Sequence, residues 1–251
     1  YRIVLRGMKE QTHEQKMRDL LLERYGSIGQ STFKHRLRFY LKRAGWVGVV
    51  KGAYLVKRVF DIVVAAILLV LLFPVFLAVG IAIRLEDPGP ILFKQKRVGR
   101  WGTLFTMWKF RSMYTNAEER KTELMAQNEM DGGVTFKMKD DPRVTKVGRI
   151  IRKASIDVLP QLWNVLKGDM SLVGPRPPVP QEVDEFSLSD RRRLEVIPGI
   201  TCIWQMSGRS DIPFDQQVEL DVQYIQSQSF WTDIKILLKT VPARLFGTGA
   251  Y

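Results

Sequence analysis

From Ile62 to Ile83 the chain runs 22 residues without a charge, in a sequence otherwise broken every few positions by Lys, Arg, Asp or Glu. A run of about 20 apolar residues matches the hydrocarbon thickness of a bilayer. Pro74 stands near its middle, where it removes one backbone donor and kinks or breaks a helix. Both flanks are basic: Lys51, Lys57 and Arg58 precede the run, and Arg84, Lys94, Lys96, Arg97 and Arg100 follow it. Since Lys/Arg excess marks cytoplasmic flanks, the pattern predicts a helix that enters the bilayer, breaks at Pro74 and returns. The backbone freed at such a break must be buried in protein or hydrated, so other segments are expected to pack beneath it. An ordinary spanning helix with a kink is the main alternative. A buried core helix is the weaker one, because the run exceeds usual core-helix lengths.

Upstream, residues 9–25 have helical composition with apolar positions at Met17, Leu20, Leu21 and Tyr25, and Gly26–Gly29 ends them. Residues 32–56 set Phe33, Leu37, Phe39, Tyr40, Leu41, Trp46 and three valines among Lys and Arg. That pattern suits a helix lying among lipid headgroups, or a solvated helix packed on a domain. Downstream, the Glu86–Pro90 turn leads to two β-leaning runs, Ile91–Gln95 and Thr103–Phe110, which read as a hairpin. Ala117–Met130 predicts a helix with Asn116 as N-cap. Val144–Ala154 and Asp157–Leu166 predict two short helices, the second capped by Ser155 or Asp157. Met170–Val173 reads as a strand, Pro180–Glu195 as a charged helix, and Ile197–Trp204 as a buried strand or irregular segment. Phe214–Gln228 and Trp231–Leu245 predict two more helices. The last carries Trp231, Ile234, Leu237, Leu238, Val241 and Leu245 on one stripe, fit for a core or a membrane surface.

Charge sharpens this picture. Of a net +13, residues 1–58 hold +10, from fourteen Lys/Arg and four Asp/Glu. A basic segment leading into an apolar element reads as attraction to anionic lipid. Nucleic acid, the competing partner for a basic patch, is not expected, because no nucleic-acid-binding signature accompanies the charge. One cysteine, Cys202, excludes an internal disulfide framework and a Cys-based zinc site. The two histidines, His13 and His35, both precede the apolar run. Chemistry downstream must use carboxylates, Lys, Tyr or Ser, and any metal would be a hard, oxygen-loving one. No cleavable signal peptide is visible, and the opening Tyr1 implies a natural start further upstream.

Four short clusters hold Arg beside Gly, Pro or another turn residue: Lys109–Met113, Asp140–Arg143, Gly174–Pro177 and Ser207–Arg209. Arginines presented this way suit bidentate recognition of phosphate. Glu118 and Glu119, followed by Arg120, open the Ala117–Met130 helix. First-turn carboxylates favour the helix dipole; the other reading is a carboxylate nucleophile with a partner carboxylate and magnesium.

The order KFRSM, acidic pair, DPRVTKVGRIIRKASIDVLPQLWNVLKGDMSLVGPRPP, PGIT, SGR and SFWTDIKILLKT resembles the monotopic phosphoglycosyl transferases. These are bacterial sugar transferases that include the polyprenyl-phosphate hexose-1-phosphate transferases. The resemblance covers about Lys57 to Tyr251, and its long middle motif is highly specific. It implies a helix-rich α+β fold: a compact, membrane-associated catalytic domain with a re-entrant helix broken at Pro74. The division expected is a basic amphipathic extension (1–56), the re-entrant helix (57–86) and a cytosolic catalytic domain with interfacial helices (87–251). It also implies transfer of a hexose-1-phosphate from a UDP-hexose, glucose or galactose, to undecaprenyl phosphate through a covalent sugar-phosphoryl enzyme. Magnesium is the implied cofactor, and the cytoplasmic face of the bacterial inner membrane the implied location. The product would begin an exopolysaccharide, capsule or O-antigen. A catalytically weak basic scaffold in a polysaccharide assembly complex is the alternative, and a homodimer is left open.

Position by position, the family's Asp-Glu-Arg motif falls on Glu118, Glu119 and Arg120, with Glu118 as nucleophile and both carboxylates toward the metal. Glu118 is a departure, one methylene longer than the family's Asp. Arg143, Arg176 and Arg209 match motif arginines for the diphosphate or nucleotide, with Lys109 and Arg111 in the same role. Asp157 and Gln161 sit in the family's S-x-D-x-x-P-Q motif, as substrate contacts or as capping and packing residues. The family also carries Ser before the helix-breaking proline and Glu after the motif Asp; this chain has Phe73 and Val158. The backbone at the break is therefore expected to need another hydrogen-bond partner.

Overall fold

The computed structural model describes residues 33–124, 141–207 and 212–246. The predicted helix over 9–25 and the Gly26–Gly29 break lie outside the described residues, as does Arg209. The chain divides into two compact units, Tyr1–Gly52 and Ala53–Tyr251. In the first, the described part is helical, with Leu37, Tyr40, Leu41 and Val49 exposed beside basic residues.

Helix α1 spans Phe33–Leu71 and passes without a break through residues 56 and 57, where composition changes. Helix α2 spans Phe73–Glu86 and has proline in its first turn. No single helix among the described residues is long and apolar enough to cross a membrane. The pair Lys51–Leu71 and Phe73–Glu86, bent by 59°, passes that test together. The bend falls where Pro74 predicts it. At the apex Val70, Leu71 and Phe73 are exposed, while Leu68 and Leu69 before the break and Phe76 and Val79 after it pack on buried clusters, Phe76 against Phe110 with ring centroids 5.2 Å apart. Pro74 occupies a helix start, where its missing N–H is not needed. Leu72 still donates to the Leu68 carbonyl at 2.9 Å, and Phe76 to the Leu72 carbonyl at 3.0 Å.

Both outer ends of this bent pair are tied to one folded body. Arg58 of α1 donates to the carbonyls of Val165 (2.7 Å) and Leu166 (3.0 Å). These are end carbonyls of helix α5 (Gln161–Lys167), where a cation satisfies open acceptors and the dipole. At the far end, the Glu86 carboxylate accepts from the backbone N–H groups of Lys146 (2.7 Å) and Val147 (2.8 Å). It thereby caps helix α4 (Lys146–Lys153) beside that helix's own N-cap, Thr145.

Strands β1 (Leu92–Val98) and β2 (Leu104–Phe110) form the predicted hairpin, in register from Leu92↔Phe110 to Val98↔Leu104. A 3₁₀ turn at Arg100–Gly102 joins them, with Trp101 (φ 56°) and Gly102 (φ 79°) in left-handed conformations. Helix α3 (Ala117–Leu124) follows, and Asn116 supplies the carbonyl that the Arg120 N–H reaches at 3.2 Å. That bond fits Asn116 at the helix entrance.

Helix α5 begins at Gln161 with Pro160 before it, and neither Ser155 nor Asp157 caps it. Those two residues instead border and occupy a 3₁₀ turn at Ile156–Val158, with Ser155 in the left-handed region (φ 54°). The predicted helix over Pro180–Glu195 is likewise two pieces: α6 (Pro180–Asp184) and a 3₁₀ turn at Asp190–Glu195.

Strands β3 (Ser171–Val173) and β4 (Gly199–Thr201) pair in parallel. A Cβ on Gly199 would lie 2.1 Å from the Gly174 backbone nitrogen, so glycine is required where β4 passes the end of β3. Helices α7 (Ile203–Ser207), α8 (Phe214–Gln226) and α9 (Phe230–Phe246) complete the fold, which is helix-rich α+β.

The main core joins Ala65 of α1, Phe105 and Met107 of β2, Leu162 and Val165 of α5, and Val173, Tyr224 and Ile236. In α9 the inward face is Asp233 and Ile236, with Leu237 partly buried. Trp231 and Leu238, on the predicted apolar stripe, point outward.

Candidate active site

Alternation along a strand places Phe105, Met107 and Lys109 of β2 on one face. Arg97 of β1, paired with Phe105, shares that face. Phe105 and Met107 enter the core, so Lys109 ends an otherwise apolar row. Beyond the hairpin edge runs the Gly174–Pro178 loop, docked by Val98 N–H to the Pro178 carbonyl (3.0 Å) and by Arg97 Nη1 to the Pro177 carbonyl (2.9 Å). This docking brings Arg176 to the same region. Helix α4 adds Arg152, which donates through Nε to Ser112 Oγ at 2.9 Å. The 3₁₀ turn after it adds Asp157.

These groups feel one another's charge. Lys109 is pushed down to about 7, first by burial and then by Arg97; Asp157 partly offsets this, and Arg176 and Arg152 lower it further. Arg97 falls to about 10, through burial and the charge of Arg176, with Glu182 opposing. Burial also lowers Arg152, against the pull of Asp157 and Asp141. Four cations from β1, β2, α4 and a proline-rich loop thus feel one another's charge, with Asp157 opposing Lys109 and Arg152 and Glu182 opposing Arg97. Among the described residues, neither Lys109 nor Arg176 makes a side-chain hydrogen bond or ion pair. An anion is the ligand this arrangement suits.

The remaining predicted residues take other positions. Arg143 is buried and chelates Asp141, at 2.9 Å from Nε to Oδ1 and 2.6 Å from Nη2 to Oδ2. Burial would raise the Asp141 carboxyl, but the hydrogen bonds and charge of Arg143 hold it below the usual range. Arg111, also buried, pairs with Asp87 and donates to its carbonyl, which fixes the turn after α2. Gln161 is buried at the start of α5, and Pro74 lies at the bend.

The acidic pair opens α3. The backbone N–H of Tyr114, just ahead of it, donates to the Arg143 carbonyl at 2.9 Å, and Met113 bridges Val144. The Asp141–Arg143 turn therefore supports the segment that delivers Glu118 and Glu119, both exposed. Arg120 lies over the Tyr114 ring at 5.8 Å.

No group of three or more His, Cys, Asp or Glu among the described residues could hold a metal. The donors present, two exposed carboxylates at a helix start, still fit magnesium. That ion is often held by one or two carboxylates, with substrate phosphates and water completing its shell.

Sequence reasoning missed Arg97 and Arg152, read as part of a basic flank and of a helix. The strand alternation that pairs Arg97 with Phe105 was the available signal. It also missed Asn164, wholly buried, whose side chain accepts from Trp108 N–H (3.1 Å) and donates to the Thr106 carbonyl (2.7 Å). Asn164 pins α5 to β2 and so sets the distance between Asp157's turn and Lys109's strand.

The bacterial sugar transferase family matches residues 52–247, and the chain belongs to it. It is 48% identical over 224 residues to the galactosyl transferase CpsE of Streptococcus agalactiae, covering 88% of this chain and 47% of that protein. It is 43% identical over 204 residues to the undecaprenyl-phosphate galactose phosphotransferase of Salmonella typhimurium, covering 80% of this chain and 43% of that one. The exopolysaccharide production protein ExoY of Sinorhizobium fredii is 39% identical over 198 residues, 78% of this chain and 88% of its own length. The chain thus spans less than half the length of the first two and most of the third.

Proposed function

We propose that the protein transfers a hexose-1-phosphate from a UDP-hexose to undecaprenyl phosphate, giving undecaprenyl-diphosphate-hexose and UMP. The observation that carries this is the convergence of Arg97, Lys109, Arg152 and Arg176 on one site, with two of them unpaired among the described residues. A diphosphate brings the negative charge such a site needs. UDP-galactose is the first donor to try, because two similar proteins are named for galactose transfer, and UDP-glucose the second.

In this reading Lys109 and Arg176 bind the diphosphate, and Arg97 holds the loop that presents Arg176. Arg143 keeps Asp141 ionised and the 141–145 turn rigid under the acidic pair. A Glu118 carboxylate oxygen attacks the phosphorus that carries the sugar. The bond from that phosphorus to the bridging oxygen breaks, and UMP leaves with the electron pair. A phosphate oxygen of undecaprenyl phosphate then attacks the same phosphorus and releases Glu118 as carboxylate. Glu119 assists and, with Glu118, would hold magnesium, which offsets phosphate charge when bound.

The bent helix pair enters one leaflet from the cytoplasmic face of the inner membrane and returns. Support comes from its length, its apolar exposed apex, and the anchoring of both its ends on one body by Arg58 and Glu86. A water-soluble nucleotide and a bilayer-bound phosphate can meet at that depth. The product begins a surface polysaccharide.

The test is release of UMP from UDP-galactose or UDP-glucose by the full chain in detergent with magnesium and undecaprenyl phosphate. Turnover with either donor, lost in Arg176→Gln, is the expected result. No UMP from any UDP-sugar, with the chain folded, would overturn the reading.

A further inference from the structure

A second charged recess lies at the foot of α1. Tyr54, Lys57 and Arg58 line it together with Arg100 of the hairpin turn, Glu195 and Gln228, around a volume of about 130 Å³. It shares no lining residue with the Lys109 site. Two of its cations are already committed: Lys57 to Asp233, and Arg58 to the α5 carbonyls. Arg100 is not. Its guanidinium lies 5.9 Å from the Tyr54 ring centroid and 5.3 Å from that of Trp101. Its Nε is buried without a hydrogen-bond partner among the described residues, and it makes no ion pair there. A buried donor with no acceptor is unfavourable until something supplies one.

The surroundings suggest what supplies it. Trp101 within the turn and Leu104 at the start of β2 are exposed, as are Leu55 and Val59, one turn apart on α1. The apolar run begins one turn further along the same helix. Exposed Trp and Tyr beside a cation, at the level where a helix turns apolar, are what a headgroup region selects.

We propose that this recess binds the phosphodiester headgroup of a bilayer phospholipid, with Arg100 donating to the phosphate and the acyl chains lying along Trp101, Leu104 and Leu55. The proposal rests on the membrane reading above. Charge favours a phosphodiester over the lipid acceptor: the lining holds Lys57, Arg58 and Arg100 against Asp61 and Glu195, and Lys57 is further neutralised by Asp233 behind it. That near balance suits one negative charge better than the two a terminal phosphate carries. The bound lipid sets the depth of α1 and leaves the Lys109 site to nucleotide and acceptor.

The experiment exposes the full chain to vesicles of phosphatidylglycerol and phosphatidylethanolamine, recovers it in mild detergent, and counts retained phospholipid by native mass spectrometry. One phospholipid per chain is expected, retained about tenfold less by Arg100→Gln. Arg100→Lys should fall between, and melting curves should be unchanged. Undecaprenyl phosphate added in excess should not displace it. Retention by Arg100→Gln equal to the parent's would overturn the proposal, and so would one-for-one displacement by undecaprenyl phosphate. Flotation of the parent with the same vesicles reads the membrane assignment separately: flotation without a specifically retained lipid defeats the recess alone.

Discussion

Lys57, at the foot of the bent helix pair, forms an ion pair with Asp233, 176 positions later on α9. Both are largely buried, Tyr224 Oη also donates to Asp233 at 2.8 Å, and Lys57 Nζ reaches the Val173 carbonyl at 3.2 Å. One turn on, Asp61 accepts from Ser171 Oγ at 2.7 Å. Two charged side chains thus bind the start of the apolar run to the parallel strand pair and the last helix. Removing one partner of a buried pair leaves the other charge uncompensated, which costs about 3–5 kcal/mol. Lys57 Nζ also lies 3.9 Å from buried Asp61, so Lys57→Met should lower thermal stability in detergent by that order, Asp233→Leu by less because Lys57 keeps Asp61, and the double replacement by no more than Lys57→Met alone. Additive losses in the double variant would show that the pair does not act as a unit.

Arg176 and Arg97 should separate binding from folding. Arg176 makes no hydrogen bond among the described residues, so Arg176→Gln should weaken UDP binding by about 10- to 100-fold with little change in melting temperature. Arg97 holds the loop through Pro177, so Arg97→Gln should weaken binding and lower melting temperature together. Calorimetric titration with UDP beside melting curves checks both.

Lys109 gives a pH signature. Its ammonium is held at about 7 by burial and by Arg97, Arg176 and Arg152, against Asp157. Below that value it is charged and ready for an anion. Above it, the free site has lost the proton, and a bound diphosphate must draw one in, so affinity falls as pH rises. UDP affinity should therefore decline between pH ~6 and ~9, with proton uptake visible as a buffer-dependent heat. Lys109→Arg, charged throughout, should flatten the profile. An equally steep decline in that variant would move the titration to another group.

The hairpin, the bend and the long C-terminal helices were legible in the sequence, because strand alternation, Pro74 and helical periodicity are local signals. The anchors were not. Lys57 and Asp61 look like the solvated flank of a membrane segment, and only the return of Ser171 and Asp233 from far along the chain makes them buried. In α9 the apolar stripe left core and membrane surface both open, and the pairing of Asp233 turns the adjacent face inward while Trp231 and Leu238 stay outward. At the site, clusters of Arg beside turn residues pointed to Arg176. They also pointed to Arg111 and Arg143, which the fold pairs with Asp87 and Asp141. Which arginine meets a carboxylate is a tertiary fact.

Re-entry of the bent pair would put both of its flanks on one side of the membrane. Cys202 is buried, and burial pushes its thiol up, so it is a quiet background for labelling. Lys51→Cys and Lys94→Cys, one on each flank, should both react with a membrane-impermeant maleimide added to inverted vesicles, whose outer surface is the cytoplasmic face, and neither when it is added to right-side-out vesicles. Labelling from opposite sides would make the pair a kinked spanning helix.

The central claim is that Glu118 takes the sugar phosphate. Intact mass after incubation with UDP-galactose and magnesium, without lipid acceptor, tests it most directly. The expected result is a hexose-phosphate adduct that maps to Glu118, disappears in Glu118→Gln and discharges when undecaprenyl phosphate is added. Turnover with the lipid acceptor, but no adduct under any condition, would contradict the account and indicate direct transfer.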